Sequence, residues 1–151
     1  LTACDGPGDF KMMLGGKERE FYSYSARGPG ERDDGTLAPT ALLGSLPFAP
    51  EIVEPTVQAM YFRYGDQLYD KYGFLDSFNP TIVRRPAQPF RHGEFRLGVG
   101  WVDKDYLGID QGPIVAMIEN HRTGLVWNTM RKNPHIRRGL QRAGFTGGWL
   151  G

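Results

Sequence analysis

The sequence contains one cysteine, Cys4, and three histidines, at positions 92, 121 and 135. A lone thiol excludes an intrachain disulfide and any cysteine-rich metal centre. The histidines fall at no spacing that would place two of them on one metal, so neither a metal nor a cofactor is expected. An excess of charge is also missing. Eighteen basic residues against 17 acidic ones leave a formal net charge of +1, which gives no electrostatic case for a nucleic-acid or membrane-surface partner. No apolar run approaches the roughly 20 residues of a spanning helix, so membrane insertion is not expected. The chain opens at Leu1 without a methionine and closes on Gly147-Gly148-Trp149-Leu150-Gly151, and we expect a piece of a longer polypeptide. Oligomeric state is left open.

Loop-forming residues are plentiful: 21 glycines and 11 prolines in 151 residues, a composition of long, shaped connections between short helices. The organising stretch runs from Asp105 to Trp127. Asp110 precedes Gly112-Pro113 and the run Ile114, Val115, Ala116, Met117, Ile118, which reads as an N-cap carboxylate on a helix with proline in its first turn. Because that run is apolar on every side, the helix is expected to be buried all round.

A second inner helix is expected from Leu37 to Leu46, with Thr36 as its cap and Pro39 in the first turn. An outer helix opens at Pro50, its stripe Val53, Val57, Met60, Tyr64 facing a core, and Gly65 is expected to end it. Phe10 to Ser25 suggests a small β-hairpin with a loop longer than two residues. The long stretch with prolines at 80, 86 and 89 and arginines at 84, 85, 91 and 96 has no helical period and reads as a lid or rim. Arg131, Lys132, Arg137, Arg138 and Arg142 read as a solvated face. Inner and outer helices alternating with acidic, glycine-containing loops predict an all-α architecture. Two or three helix pairs would form part of an (α/α)6 toroid, which needs about six pairs to close.

Several stretches carry a family resemblance. They are L-T-A-C-D-G-P-G (1 to 8), D-D-G-T-L-A-P-T-A (33 to 41), S-L-P-F-A-P-E (45 to 51), Y-G-F-L-D-S-F-N-P (72 to 80), D-Y-L-G-I-D-Q-G-P-I (105 to 114), M-I-E-N-H-R-T-G-L-V-W (117 to 127) and R-A-G-F (142 to 145). In this order they resemble the C-terminal part of the glycoamylase-like domain of bacterial endo-β-1,2-glucanases and, in related form, cyclic β-1,2-glucan synthases. Cys4 departs from the small hydroxyl residue expected there. The resemblance implies an (α/α)6 barrel whose N-terminal half is missing, and a glycoside hydrolase fragment acting on β-glucan, most specifically β-1,2-glucan. It also implies a periplasmic or extracellular location. A transglycosylating module of a cyclic glucan synthase and a non-catalytic glucan-binding module are the alternatives.

Glycoside cleavage needs two carboxyl groups across the scissile bond. Asp5, Asp33, Asp34, Asp76, Asp105 and Asp110 are the loop carboxylates available, and spacing alone does not pair them. The resemblance implies that the principal acid and base lie upstream of Leu1, so no catalytic residue is assigned. Asp5, Asp34, Asp76, Trp101, Tyr106, Asp110 and Gln111 are expected to contact substrate. The loop aromatics Phe10, Tyr22, Tyr24, Phe78, Trp101 and Tyr106 either stack on glucose faces or pack internally.

Overall fold

A computed structural model describes residues 2–151. Its first unit is all β. Strand β1 (Thr2–Cys4) pairs antiparallel with β4 (Ser25–Arg27), and between them β2 (Phe10–Leu14) and β3 (Lys17–Phe21) form a hairpin. The hairpin turn is tighter than expected: Gly15 and Gly16, at φ +56° and +77°, close it in two residues. Both left-handed positions suit glycine and match the twist of the flanking strands. Phe10, Met12 and Phe21 turn inward and meet Ile82 and Trp101 in a small core.

Helix α1 (Pro39–Gly44) starts later than expected, with Pro39 at its first position and Ala38 in the capping position without a side-chain bond. Thr36 is used elsewhere, its hydroxyl accepting from Asn79 Nδ2 at 3.1 Å. Leu37 exchanges backbone hydrogen bonds with Phe78, holding the chain extended up to the helix. Helix α2 (Pro50–Leu68) runs through Gly65, which lies against the Tyr61 ring. After it the chain reverses through β5 (Tyr69–Asp70) and β6 (Gly73–Phe74).

The segment expected to be a lid or rim instead supplies a sheet. Strands β7 (Phe78–Asn79), β8 (Glu94–Arg96) and β9 (Gly100–Val102) pair antiparallel with β9 in the middle. Gly100 permits this, because at φ +105° a Cβ there would sit 2.2 Å from the Asn79 carbonyl oxygen. Trp101, Val102 and Val99 are enclosed. Val102 and Val99 belong to the larger core with Leu43, Leu68, Phe74, Leu75, Phe78 and Ile114.

Helix α3 (Gly108–Thr123) ends at Gly124, whose left-handed φ of +70° makes the C-cap, as glycine commonly does. Helices α4 (Leu125–Arg131) and α5 (Pro134–Arg142) and a 3-10 turn at Gly148–Leu150 follow. α3 is not buried all round. Asp110, Ile114 and Asn120 face the core and α1, whereas Ile109 and Val115 are 78% and 67% exposed. Asp110 lies inside the first turn and Leu107 takes the capping position, so the expected N-cap does not form.

The all-α expectation is therefore corrected. Among the described residues nine strands form four small antiparallel sheets beside five α-helices, and the fold is mixed α/β. Strands of two to five residues are too short for a period-2 hydrophobic pattern to emerge, and their Gly- and Pro-rich flanks read as loops.

Candidate functional site

Four segments converge on Asp76, in the turn between β6 and β7. Its Oδ2 accepts from the Asp5 backbone N–H at 3.1 Å. Ser77 Oγ lies 3.0 Å from the same oxygen and 3.1 Å from the Asp5 carbonyl, with one proton to give. The Asp76 N–H donates to the Asp105 carbonyl at 3.2 Å, and the Asp103 N–H to the Ser77 carbonyl at 2.9 Å. The loop leading from β9 into α3 is thereby fixed to the Asp76 turn. Gln111 ties α3 to the same turn, its Nε2 donating to the Phe74 carbonyl at 2.7 Å.

Asp110 reaches this hub from the first turn of α3. Burial, first, and the Asp76 carboxylate beside it, second, push the Asp110 carboxyl up to about 7, against a smaller opposing pull from a hydrogen bond with Thr40. Asp110 Oδ2 is enclosed and has no donor partner among the described residues. A proton held between this carboxyl and Asp76 turns a repulsive contact into a hydrogen bond, the usual resolution when two carboxylates share a site.

His92 and Asp103 complete the cluster. His92 Nε2 lies 2.9 Å from Asp103 Oδ1 and 3.2 Å from Asp105 Oδ2. Asp103 is fully enclosed, and that burial raises its pKa, against the opposing effects of the Asp105 N–H and His92. Trp101 does not offer its ring to a sugar. It is buried, and its Nε1 donates to the His92 carbonyl at 2.7 Å, which sets the His92 backbone in place. A hollow of about 320 Å³, lined by Asp5, Gly6, Ser23, Tyr24, Arg91 and His92, opens beside the cluster.

The structure thus brings Asp5, Asp76 and Asp110 together, with Gln111 as a brace. Tyr106 is half-buried, edge-on to Tyr72 at a ring separation of 5.5 Å. Asp34 is directed elsewhere. Its Oδ1 accepts from Arg27 Nε at 3.2 Å and the Thr36 N–H at 2.9 Å, and its Oδ2 from the Tyr22 N–H at 3.2 Å and Arg27 Nη2 at 3.4 Å. No oxygen is left open for a ligand. Arg27 also donates to the carbonyls of Cys4, Tyr22, Ser23 and Ser25. Cys4 Sγ stands 3.5 Å from Arg27 Nη1 as an acceptor, and burial pushes its thiol up to about 11. The thiol is therefore held in its unreactive form.

Of the loop aromatics, Phe10 and Phe78 are core, and Tyr22 Oη donates to Glu20. Tyr24, 67% exposed on the rim of the hollow, keeps a free face. His92 and Asp103 are the site residues that sequence reasoning missed. The alternation Asp103-Lys104-Asp105 could have pointed to Asp103, but nothing in the spacing points to His92.

The hollow thus sets the polar groups of Asp5, Ser23, Arg91 and His92 beside one exposed aromatic ring, Tyr24, a combination that can hold a small polar ligand such as a sugar. Residues 1–134 match the Glycoamylase family model, described as "Putative glucoamylase", and the chain belongs to that family. It is 34% identical over 122 residues to the exo-β-1,2-glucooligosaccharide sophorohydrolase (non-reducing end) of Parabacteroides distasonis, a match covering 80% of this chain and 15% of that protein. The endo-β-1,2-glucanase of Chitinophaga pinensis, solved as a sophorotriose and glucose complex, superposes with a TM-score of 0.68 at 35% identity, over 85% of this chain and 27% of that one. A Bacteroides uniformis protein described as a "putative glucoamylase" superposes with a TM-score of 0.73 at 38% identity, over 100% of this chain and 29% of that one. The chain thus spans less than a third of the length of each of these relatives.

Proposed function

We propose that these residues are the C-terminal portion of a glycoside hydrolase domain that cleaves β-1,2-glucan by carboxylate acid/base catalysis. Their part in it is to hold the substrate. The observation that carries this reading is the convergence of Asp5, Asp76 and Asp110 on one hydrogen-bonded hub, beside a hollow with an exposed Tyr24, in a chain similar to two β-1,2-glucan hydrolases.

Hydrolysis breaks the bond between the anomeric carbon and the bridging oxygen. One carboxyl must protonate that oxygen and another must activate water or attack the sugar. We place the principal acid and base in the part of the domain outside these residues. The cluster described here offers glucose hydroxyls the acceptors Asp5 and Asp105, while the proton shared by Asp110 and Asp76 near neutral pH holds the buried hub behind them in one geometry. Tyr24 supplies an apolar face for the ring. A polymeric substrate of this kind also fits a periplasmic or extracellular location.

Incubation of the full-length parent with linear β-1,2-glucan tests the reading. Short linear oligosaccharides are the expected product. Cyclic products would replace hydrolysis with transglycosylation, and binding without cleavage would leave only a glucan-binding module.

A further inference from the structure

Asp5, His92 and Asp103 come from three separate segments, yet each offers one ligand atom such that all three atoms lie within 4.8 Å of one another. The loop after β1, the irregular segment before β8 and the residue after β9 each supply one of them. The groups are fixed rather than loosely gathered. Asp5 is held through its backbone by Asp76 and Ser77, His92 through its carbonyl by Trp101, and Asp103 by the Ser77 carbonyl.

Two features of the cluster are unbalanced by protein alone. A single ring nitrogen, His92 Nε2, faces two carboxylates, Asp103 Oδ1 at 2.9 Å and Asp105 Oδ2 at 3.2 Å, although it can carry only one proton. Separately, the Asp103 side chain is fully enclosed and its second oxygen, Oδ2, has no hydrogen-bond partner among the described residues. That oxygen is bonded to the same carbon as the one facing His92, so the unpartnered acceptor belongs to the cluster itself. Buried carboxylate oxygens are nearly always satisfied, and one that is not points to an ion or water.

Neighbouring basic residues do not supply the missing charge. The Arg91 guanidinium is mostly exposed and stands 3.9 Å from Asp9, and Lys104 is exposed. Three carboxylates, Asp5, Asp103 and Asp105, are thus set against one imidazole.

We propose that Asp5, His92 and Asp103 bind one divalent cation of the Zn2+ or Mn2+ type. Imidazole and carboxylate together suit borderline ions of this kind better than Mg2+ or Ca2+, which favour all-oxygen shells. Ligands about 2.1 Å from such an ion are roughly 3.0–3.4 Å apart along the edges of an octahedron or tetrahedron. The 2.9 Å separation of His92 and Asp103 is of that size. Three protein ligands leave coordination positions free toward the hollow lined by Asp5, Ser23, Tyr24, Arg91 and His92. The ion's place joins the β1 loop to the β9 strand, so it stabilises the wall of the hollow whether or not it touches substrate.

The test is calorimetric titration of the metal-stripped full-length parent with Zn2+, Mn2+, Ca2+ and Mg2+ separately, with thermal melts at each endpoint. One Zn2+ or Mn2+ per chain is expected, with a rise in Tm. Weakening by at least about 100-fold is expected in His92→Ala and in Asp5→Asn, each checked by circular dichroism. Loss of a residue that merely supports a metal ligand typically costs 10- to 100-fold in affinity, and loss of a direct ligand is expected to reach at least the upper end of that range. No binding and no Tm rise in the unaltered protein overturn the site, as does a response to Ca2+ without Zn2+ or Mn2+. Unchanged binding in both folded variants overturns it too. Cleavage of glucan enters none of these readouts, so the result is independent of the hydrolase reading.

Discussion

Two buried charged clusters lie on either side of the β1 loop, and they are satisfied in opposite ways. In the Arg27–Asp34 cluster the ion pair is at 3.2 Å with both side chains enclosed, at 4% and 0% exposure, and both Asp34 oxygens are occupied. In the Asp76–Asp110–Asp103 cluster carboxylates outnumber cations, and Asp103 Oδ2 and Asp110 Oδ2 are enclosed without a donor. A complete cluster fixes loops, whereas an incomplete one retains capacity for a proton, an ion or a sugar hydroxyl. The two aspartates that the sequence makes look alike, Asp34 and Asp110, therefore have different surroundings: one locks the β1–β4 sheet through Arg27, and the other is buried beside a second carboxylate, Asp76.

The largest effect that separates them is on stability. Arg27→Met leaves Asp34 buried with no cation and several carbonyls without donors, and is expected to cost about 3–5 kcal/mol, measured by urea unfolding. A loss below about 1 kcal/mol would show that the first cluster is not the structural one.

Next comes a pH dependence confined to the second cluster. The folded-state pKa of Asp110, about 7, lies above its unfolded value, so folding retains its proton. The resulting stability is complete below the unfolded carboxylate range and is lost as pH rises from about 4 through 7, by at most about 1.4 kcal/mol per pH unit. Asp110→Asn is expected to flatten this part of the curve, as read by unfolding at stepped pH.

A smaller effect is expected at the rim. Tyr24→Ala should raise KM for β-1,2-glucan about tenfold in the full-length parent, about 1.4 kcal/mol, while stability changes by less than about 0.5 kcal/mol. The smallest belongs to the exposed Lys11–Glu18 pair, 3.4 Å apart. Lys11→Ala should shift unfolding by about 0.5 kcal/mol or less, since water screens such pairs.

Local chemistry made part of this legible in advance. Gly15-Gly16 marked the hairpin and Pro50 marked a helix start, whereas spacing did not pair the carboxylates, and of the expected trio Asp5, Asp34 and Asp110 the structure sends Asp34 to Arg27 instead. Strands β5 to β9 were not legible, because two- and three-residue strands are fixed by partners far along the chain rather than by their own pattern. Trp101 read as a rim aromatic because its neighbours are glycine and charged residues, yet tertiary packing encloses it. His92 was missed for a related reason: its partners Asp103 and Asp105 are 11 and 13 positions away, brought close by the β8–β9 pairing. Asp34 was not legible as a structural anchor either, because its partner is Arg27, seven residues away, rather than the adjacent Arg32.

The most direct test of the central claim, that the buried Asp76–Asp110 hub positions the proposed glucan site of this chain, is kcat/KM for linear β-1,2-glucan in the full-length parent carrying Asp110→Asn. A loss of about 100-fold with the fold intact is expected, the size found when a preorganised hydrogen-bonding group leaves an active site. Activity equal to that of the unaltered protein would contradict the account.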